Sequence, residues 1–159
     1  MPFYMTRRPW VVRATRRASR EQLARDGRVR VRGLRSHGVT TVEIKSGYGL
    51  DPESEERMLL AANDLEDTVR VVPTFLGAHA IPPEYRDDRE AYVRQVIDVQ
   101  LPRCAPLAAC VDVYCDRGAF SVDEARRILE AGKALGLTVR AHAEQVAHTG
   151  IAALAARMG

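Results

Sequence analysis

The chain has 159 residues, 46% hydrophobic and 28% charged, with a net charge of +3, which allows one domain with a hydrophobic core and excludes two large ones. No apolar run approaches the roughly 18 to 20 residues of a membrane helix. Cys104, Cys110 and Cys115 are odd in number and lack CxxC spacing, so they form no disulfide framework or zinc knuckle and fit a reducing, cytoplasmic setting. The first 36 residues hold eleven arginines against only Glu21 and Asp26. Such a start suits a nucleic-acid-binding face or a transit peptide. Arginine, however, outnumbers lysine 22 to 2 over the whole chain, and the aromatic partners in this stretch are mainly Trp10 and Tyr4. The bias is therefore read as compositional, with no nucleic-acid partner expected.

Ser19 is a plausible cap for a helix over 19–36, with Glu21 in its first turn and a stop at His37-Gly38. A rhythm of strands and helices follows. VTTVEIK (39–45) is rich in β-branched residues and predicts a strand. The loop SGYGLD leads to a helix opening at Pro52, with Glu53, Glu55 and Glu56 suited to the positive end of the helix dipole. VRVVPTFL (69–76) predicts the second strand, followed by the loop GAHAIPPEY and a helix over 87–101 with Tyr92, Val93, Val96 and Ile97 on one side. VDVYC (111–115) is the third strand. Ser121 caps the next helix in a pattern resembling a capping box, with Glu124 at the third helical position. TVRAH (138–142) is the fourth strand, and a last helix runs from about 148. Four strand–loop–helix units in a row predict a parallel sheet with right-handed crossovers. The strands look nearly continuous in apolar character, as buried parallel strands are. The architecture is either an open doubly wound sheet or part of an eight-stranded α/β barrel. No GxGxxG or phosphate loop follows a strand, which disfavours a nucleotide-binding open sheet, and a full barrel needs about 250 residues.

Chemistry in both architectures gathers at the C-terminal strand ends. Those ends carry Lys45, Ser46 and Tyr48, then His79 and Tyr85, then Cys115, Asp116 and Arg117, then His142, Glu144 and Gln145. Two of the four histidines thus fall in loops that face one another. Each also has a plainer role available. A loop histidine is often solvated or bonded for structural reasons, and Tyr48 in GYG can simply pack over its loop. Glu43 and Lys45 share strand parity and point to one face, where a buried pair is as often structural as catalytic. His37 and His148 are assigned no chemistry, and Cys115 is read as core. The chain has no HxH, no HExxH and no histidines paired at helical spacing, so spacing alone makes a weak case for a metal.

The stretches TTVEIKSGYGLD, TFLGAHAIPPEY, VDVYCDRGAFS and VRAHAEQ, in this order, resemble the imidazolonepropionase family of the amidohydrolase superfamily. The resemblance runs from about VVRATRRAS (11–19) to the last residue, more than nine-tenths of the chain. It implies residues 11–159 as part of a (β/α)8 barrel of the metal-dependent hydrolase type, with 1–10 an atypical N-terminal segment. It implies a cyclic amidase that hydrolyses the small-molecule substrate 4-imidazolone-5-propanoate to N-formimidoyl-L-glutamate. In such an enzyme a Zn²⁺ or Fe²⁺/Fe³⁺ ion would lower the pKa of a water and polarise the ring carbonyl. Position by position, His142 resembles the metal ligand ending barrel strand five. Tyr48 and His79 resemble substrate-contacting residues, and so does Gln145, whose amide can both donate and accept. No general acid or base is identified.

The departures from the family pattern matter as much. Its HxH, its ligand aspartate, the arginine after the HxH and the histidine of the next strand are not in this chain, nor is its small β-sandwich. A lone histidine cannot hold a catalytic ion tightly, and four βα units leave open sheet edges. The expectation is a fragment of the enzyme, inactive by itself and marginally stable, for which self-association through the edges stays open. The alternative is a non-catalytic half-barrel that binds a small imidazole-like or carboxylate ligand through Tyr48, His79 and Gln145 without metal.

Overall fold

The computed structural model describes residues 9–159; residues 1–8, most of the atypical N-terminal segment, lie outside the described residues. Two helices come first, α1 (Pro9–Arg17) and α2 (Arg20–Ser36). The sequence points only to the second, whose cap Ser19 accepts from the Gln22 amide as expected. The alternation then follows the predicted order: β1 (Thr41–Lys45), α3 (Pro52–Asn63), β2 (Arg70–Ala78), α4 (Arg89–Gln95), β3 (Cys110–Cys115) and α6 (Val122–Ala134). Between α4 and the short α5 (Leu101–Cys104) the rod continues through a π turn, Val96–Gln100. The helix predicted over 87–101 is therefore one apolar rod with a slipped turn, and Tyr92, Val93, Val96 and Leu101 are fully buried along it.

Local chemistry accounts for the boundaries. Asp51 caps α3 by accepting from the Ser54 amide at 2.8 Å, with Pro52 at the first helical position. Ser121 and Glu124 form a full reciprocal capping box on α6, satisfying donors the helix start leaves free.

The strands pair in parallel in the order β1-β2-β3-β4, and the sheet curls into a half-barrel with helices on its outer side. The fourth predicted strand is broken. Thr138–Val139 (β4) and His142–Ala143 (β5) both pair with β3, and Arg140–Ala141 lie between. Val111 pairs with Val139 and Tyr114 with His142, so the register is kept across the gap. The last helix, α7 (Ile151–Met158), starts later than expected because Glu144 to Gly150 form an ordered loop.

The strands are not apolar on both faces. On β3, Val111, Val113 and Cys115 are buried in one cluster with Phe75, Tyr92, Ile128, Leu129 and Ile151. Each such aliphatic or aromatic side chain contributes about 1.5–3 kcal/mol on burial. Asp112 and Tyr114 alternate with them and point to the concave face. No helix among the described residues is long and apolar enough to cross a membrane.

Candidate functional site

The concave face carries a chain of polar and charged side chains that crosses the sheet. Arg140 Nη1 lies 2.9 Å from Glu43 Oε1, which also accepts from Thr74 Oγ1 at 2.7 Å and from Lys45 Nζ at 2.6 Å. Lys45 in turn donates to Asp112 Oδ2 at 2.8 Å, and that oxygen stands 3.0 Å from His142 Nδ1. The His142 contact is a close approach rather than an aligned hydrogen bond, and Asp112 Oδ1 is buried without a partner. Burial pushes the Asp112 carboxyl up, but His142 and Lys45 more than offset this and hold it below the usual range. Burial likewise raises Glu43, and Lys45, Thr74 and Arg140 bring it below the usual range. Lys45 is drawn down by burial and carried above its ordinary value by Asp112 and Glu43. Glu43, Lys45 and Asp112 are thus all charged at neutral pH. The network borders an open cleft of about 530 Å³, which His142 and Gln145 also line.

Beside this network stands an aromatic group. The Tyr48 ring meets His79 edge-on at 5.0 Å, and His79 lies 6.3 Å from His142 with the planes 23° apart. Tyr114 stands edge-on to both imidazoles, 6.1 Å from His79 and 5.8 Å from His142. His79 Nδ1 is 2.9 Å from the Gly47 carbonyl oxygen. A carbonyl only accepts, so Nδ1 carries the proton and Nε2 is left as an acceptor. Burial lowers the His79 pKa more than Gly47 raises it, so the ring is neutral.

Two loops flank this group, one carrying Tyr48 and the other Gln145, and each is held from behind by a buried carboxylate. Glu55 accepts from the amides of Gly47, Gly49 and Leu50 at 2.6, 2.9 and 2.8 Å. Asp116 accepts from those of Gln145, Val146 and Ala147 at 2.8, 2.8 and 3.0 Å. Burial raises the Asp116 carboxyl, and these amides with that of Arg117 pull it below its ordinary value. Each loop contains a non-glycine residue in the left-handed region, Leu50 at φ 60° and Glu144 at φ 58°, a placement that costs about 1–2 kcal/mol.

The structure therefore gathers the rings of Tyr48, His79 and His142, and of these His142 lines the cleft together with Gln145. Other strand-end residues go elsewhere: Tyr85 packs on Tyr92, Cys115 lies in the core, and Glu144 is taken up by His148 and the Gly150 amide. Asp112, Tyr114 and Glu55 were not singled out from sequence as site residues. The first two carried a signal, since both share parity on β3 and the register sets Tyr114 beside His142.

His142 is the residue expected to hold a metal ion. Among the described residues no group of three His, Cys, Asp or Glu side chains could hold one. His79, the nearest imidazole, has Nδ1 committed to Gly47. The donors present do not make a metal centre by themselves, since such a site needs about three or four protein ligands.

No family model matches the chain. Its sequence is 52% identical over 151 residues to the imidazolonepropionase of Geobacillus thermodenitrificans, covering 92% of this chain and 36% of that protein. The imidazolonepropionase of Geobacillus kaustophilus is 51% identical over the same shares. That of Shewanella sediminis is 50% identical over 93% of this chain and 37% of its own length. The chain corresponds in sequence to one segment of these proteins and spans just over a third of their length.

Proposed function

We propose that this chain, a counterpart of one segment of imidazolonepropionase, carries part of the substrate pocket of a hydrolase acting on 4-imidazolone-5-propanoate. One observation supports the reading most strongly. Residues far apart in the chain, Tyr48, His79 and His142, meet in ring-to-ring steps of 5.0 and 6.3 Å, and His142 lines a cleft, in a sequence half identical to enzymes of that name.

The chemistry of each side chain fits a small planar ring bearing N–H and C=O groups. His79 offers an acceptor at Nε2, which suits a ring N–H. The Tyr48 hydroxyl and the Gln145 amide can each donate or accept. Gln145 carries no charge and is assigned binding rather than proton transfer. His142 supplies one ligand to a zinc or iron site that the described residues do not complete. The chain by itself is accordingly expected to turn over no substrate. No observation favours the metal-free binding protein.

The test is a chimera in which this chain replaces the matching segment of the Geobacillus thermodenitrificans enzyme. Loss of 4-imidazolone-5-propanoate absorbance with time is expected, and His142→Ala should abolish it. A folded, metal-loaded chimera with no turnover would contradict the reading.

A further inference from the structure

Glu55 departs from its neighbours. Glu53 and Glu56, in the same first turns of α3, reach outward and pair with Arg103, each at 2.7 Å. Glu55 is 0% exposed and turns back under the Ser46–Leu50 loop. Its carboxylate meets three backbone amides and the Ser46 hydroxyl. Burying a carboxylate is costly even when its lone pairs are filled, and an apolar residue of similar volume is often as stable or more so. Helix-dipole pairing does not require this burial, because Glu53 is suited to it from the surface.

The loop has little freedom around that carboxylate. Gly47 has φ +97°, and a Cβ there would lie 2.6 Å from the Leu76 carbonyl oxygen; one on Gly49 would lie 2.3 Å from Ser54 Cβ. Gly47 also links the carboxylate to the site. Its N–H is given to Glu55 Oε2, and its C=O receives Nδ1 of His79. Tyr48, the next residue, stands edge-on to the same imidazole.

We propose that Glu55 is a positioning residue: by holding Gly47 and the loop around it, it fixes the His79 tautomer and the stance of Tyr48, so that both face a ligand ready to bind. Without the carboxylate, the amides of Gly47, Gly49 and Leu50 lose their common acceptor. The Gly47 carbonyl then no longer has one direction, and His79 is free to exchange Nδ1–H for Nε2–H.

The experiment is nitrogen NMR on the full chain labelled at its histidine rings, with no ligand present. In the unsubstituted chain His79 is expected in the Nδ1–H form. In Glu55→Gln, with helix content unchanged by circular dichroism, the expected result is a mixture of both tautomers and loss of the Tyr48–His79 ring contact. Leu129→Ala, a core truncation on α6, is expected to lower stability and leave the His79 tautomer alone. A folded Glu55→Gln with His79 unchanged overturns the proposal. So does Leu129→Ala shifting the tautomer as far as Glu55→Gln does, because the effect is then only loss of stability. If Glu55→Gln does not fold, hydrogen exchange of the unsubstituted chain decides. The Gly47, Gly49 and Leu50 amides should exchange at least ~100-fold more slowly than in an unstructured peptide, as bonded groups in a rigid element do; exchange at the unstructured rate overturns the proposal. The role in ligand recognition rests on the proposed function, but the tautomer is read without ligand. Failure here leaves that function standing, and failure of the chimera leaves the Glu55 result standing.

Discussion

Nδ1 of His142 stands 3.0 Å from Oδ2 of Asp112, a carboxylate only 1% exposed that also accepts from Lys45. The pair joins the strand-end histidine to a network crossing the sheet, and it favours a proton on Nδ1, leaving the Nε2 lone pair free. Asp112→Asn removes the charge that both Lys45 and His142 face. A loss of about 1–3 kcal/mol is expected, the cost of leaving buried polar groups poorly partnered, read as a lower urea midpoint with an unchanged slope. An unchanged midpoint would show that the network contributes nothing to stability.

Burial lowers the His79 pKa from its ordinary value of 6.5. The unfolded chain therefore binds this proton more readily than the folded one, and folding stability must rise with pH across the interval. The contribution of neutral His79 is complete above pH 6.5 and is lost as pH falls from there toward the depressed folded value. Urea midpoints at closely spaced pH values below neutrality should decline, and His79→Gln should flatten the decline. Equal pH dependence in both proteins would contradict this.

Two glycines should respond in opposite ways to alanine. At Gly49 the added Cβ meets Ser54 Cβ at 2.3 Å, and overpacking of this kind costs about 1–3 kcal/mol. Gly33, within α2, has nothing within 4 Å of the added Cβ, so Gly33→Ala should gain about 0.5–1 kcal/mol from helix propensity. Thermal unfolding of both variants checks the pair of signs.

All three cysteines are free and buried, and burial pushes the Cys104 thiol up to about 12. The thiolate is the reactive form. Ellman's reagent at pH 8 should therefore find almost no thiol in the folded chain and all three in denaturant. Rapid native labelling of Cys104 would mean that the α5 core opens readily.

The order of elements was legible because each signal was local: β-branched runs, Pro52 after Asp51, Ser121 with Glu124. Tyr48, His79, His142 and Gln145 follow from strand ends and from the resemblance; the fold brings the first three rings together and sets Gln145 with His142 on the cleft. Asp112 was obscured because VDVYC reads as an apolar strand, and only its parity with Tyr114 shows that it faces the concave side. In sequence Glu55 reads as a helix-dipole acid; its turn back into the loop depends on tertiary contacts that no local pattern encodes. The break at Arg140–Ala141 has the same origin, since Arg140 is drawn to Glu43 on a distant strand.

The central claim is that these residues form part of a pocket and supply one ligand of a metal site they do not complete. Elemental analysis of the purified chain beside its His142→Ala variant tests it most directly. The account predicts far less than one zinc or iron per chain, and no difference between the two proteins. Near-stoichiometric metal in the unsubstituted chain that disappears in His142→Ala would contradict it.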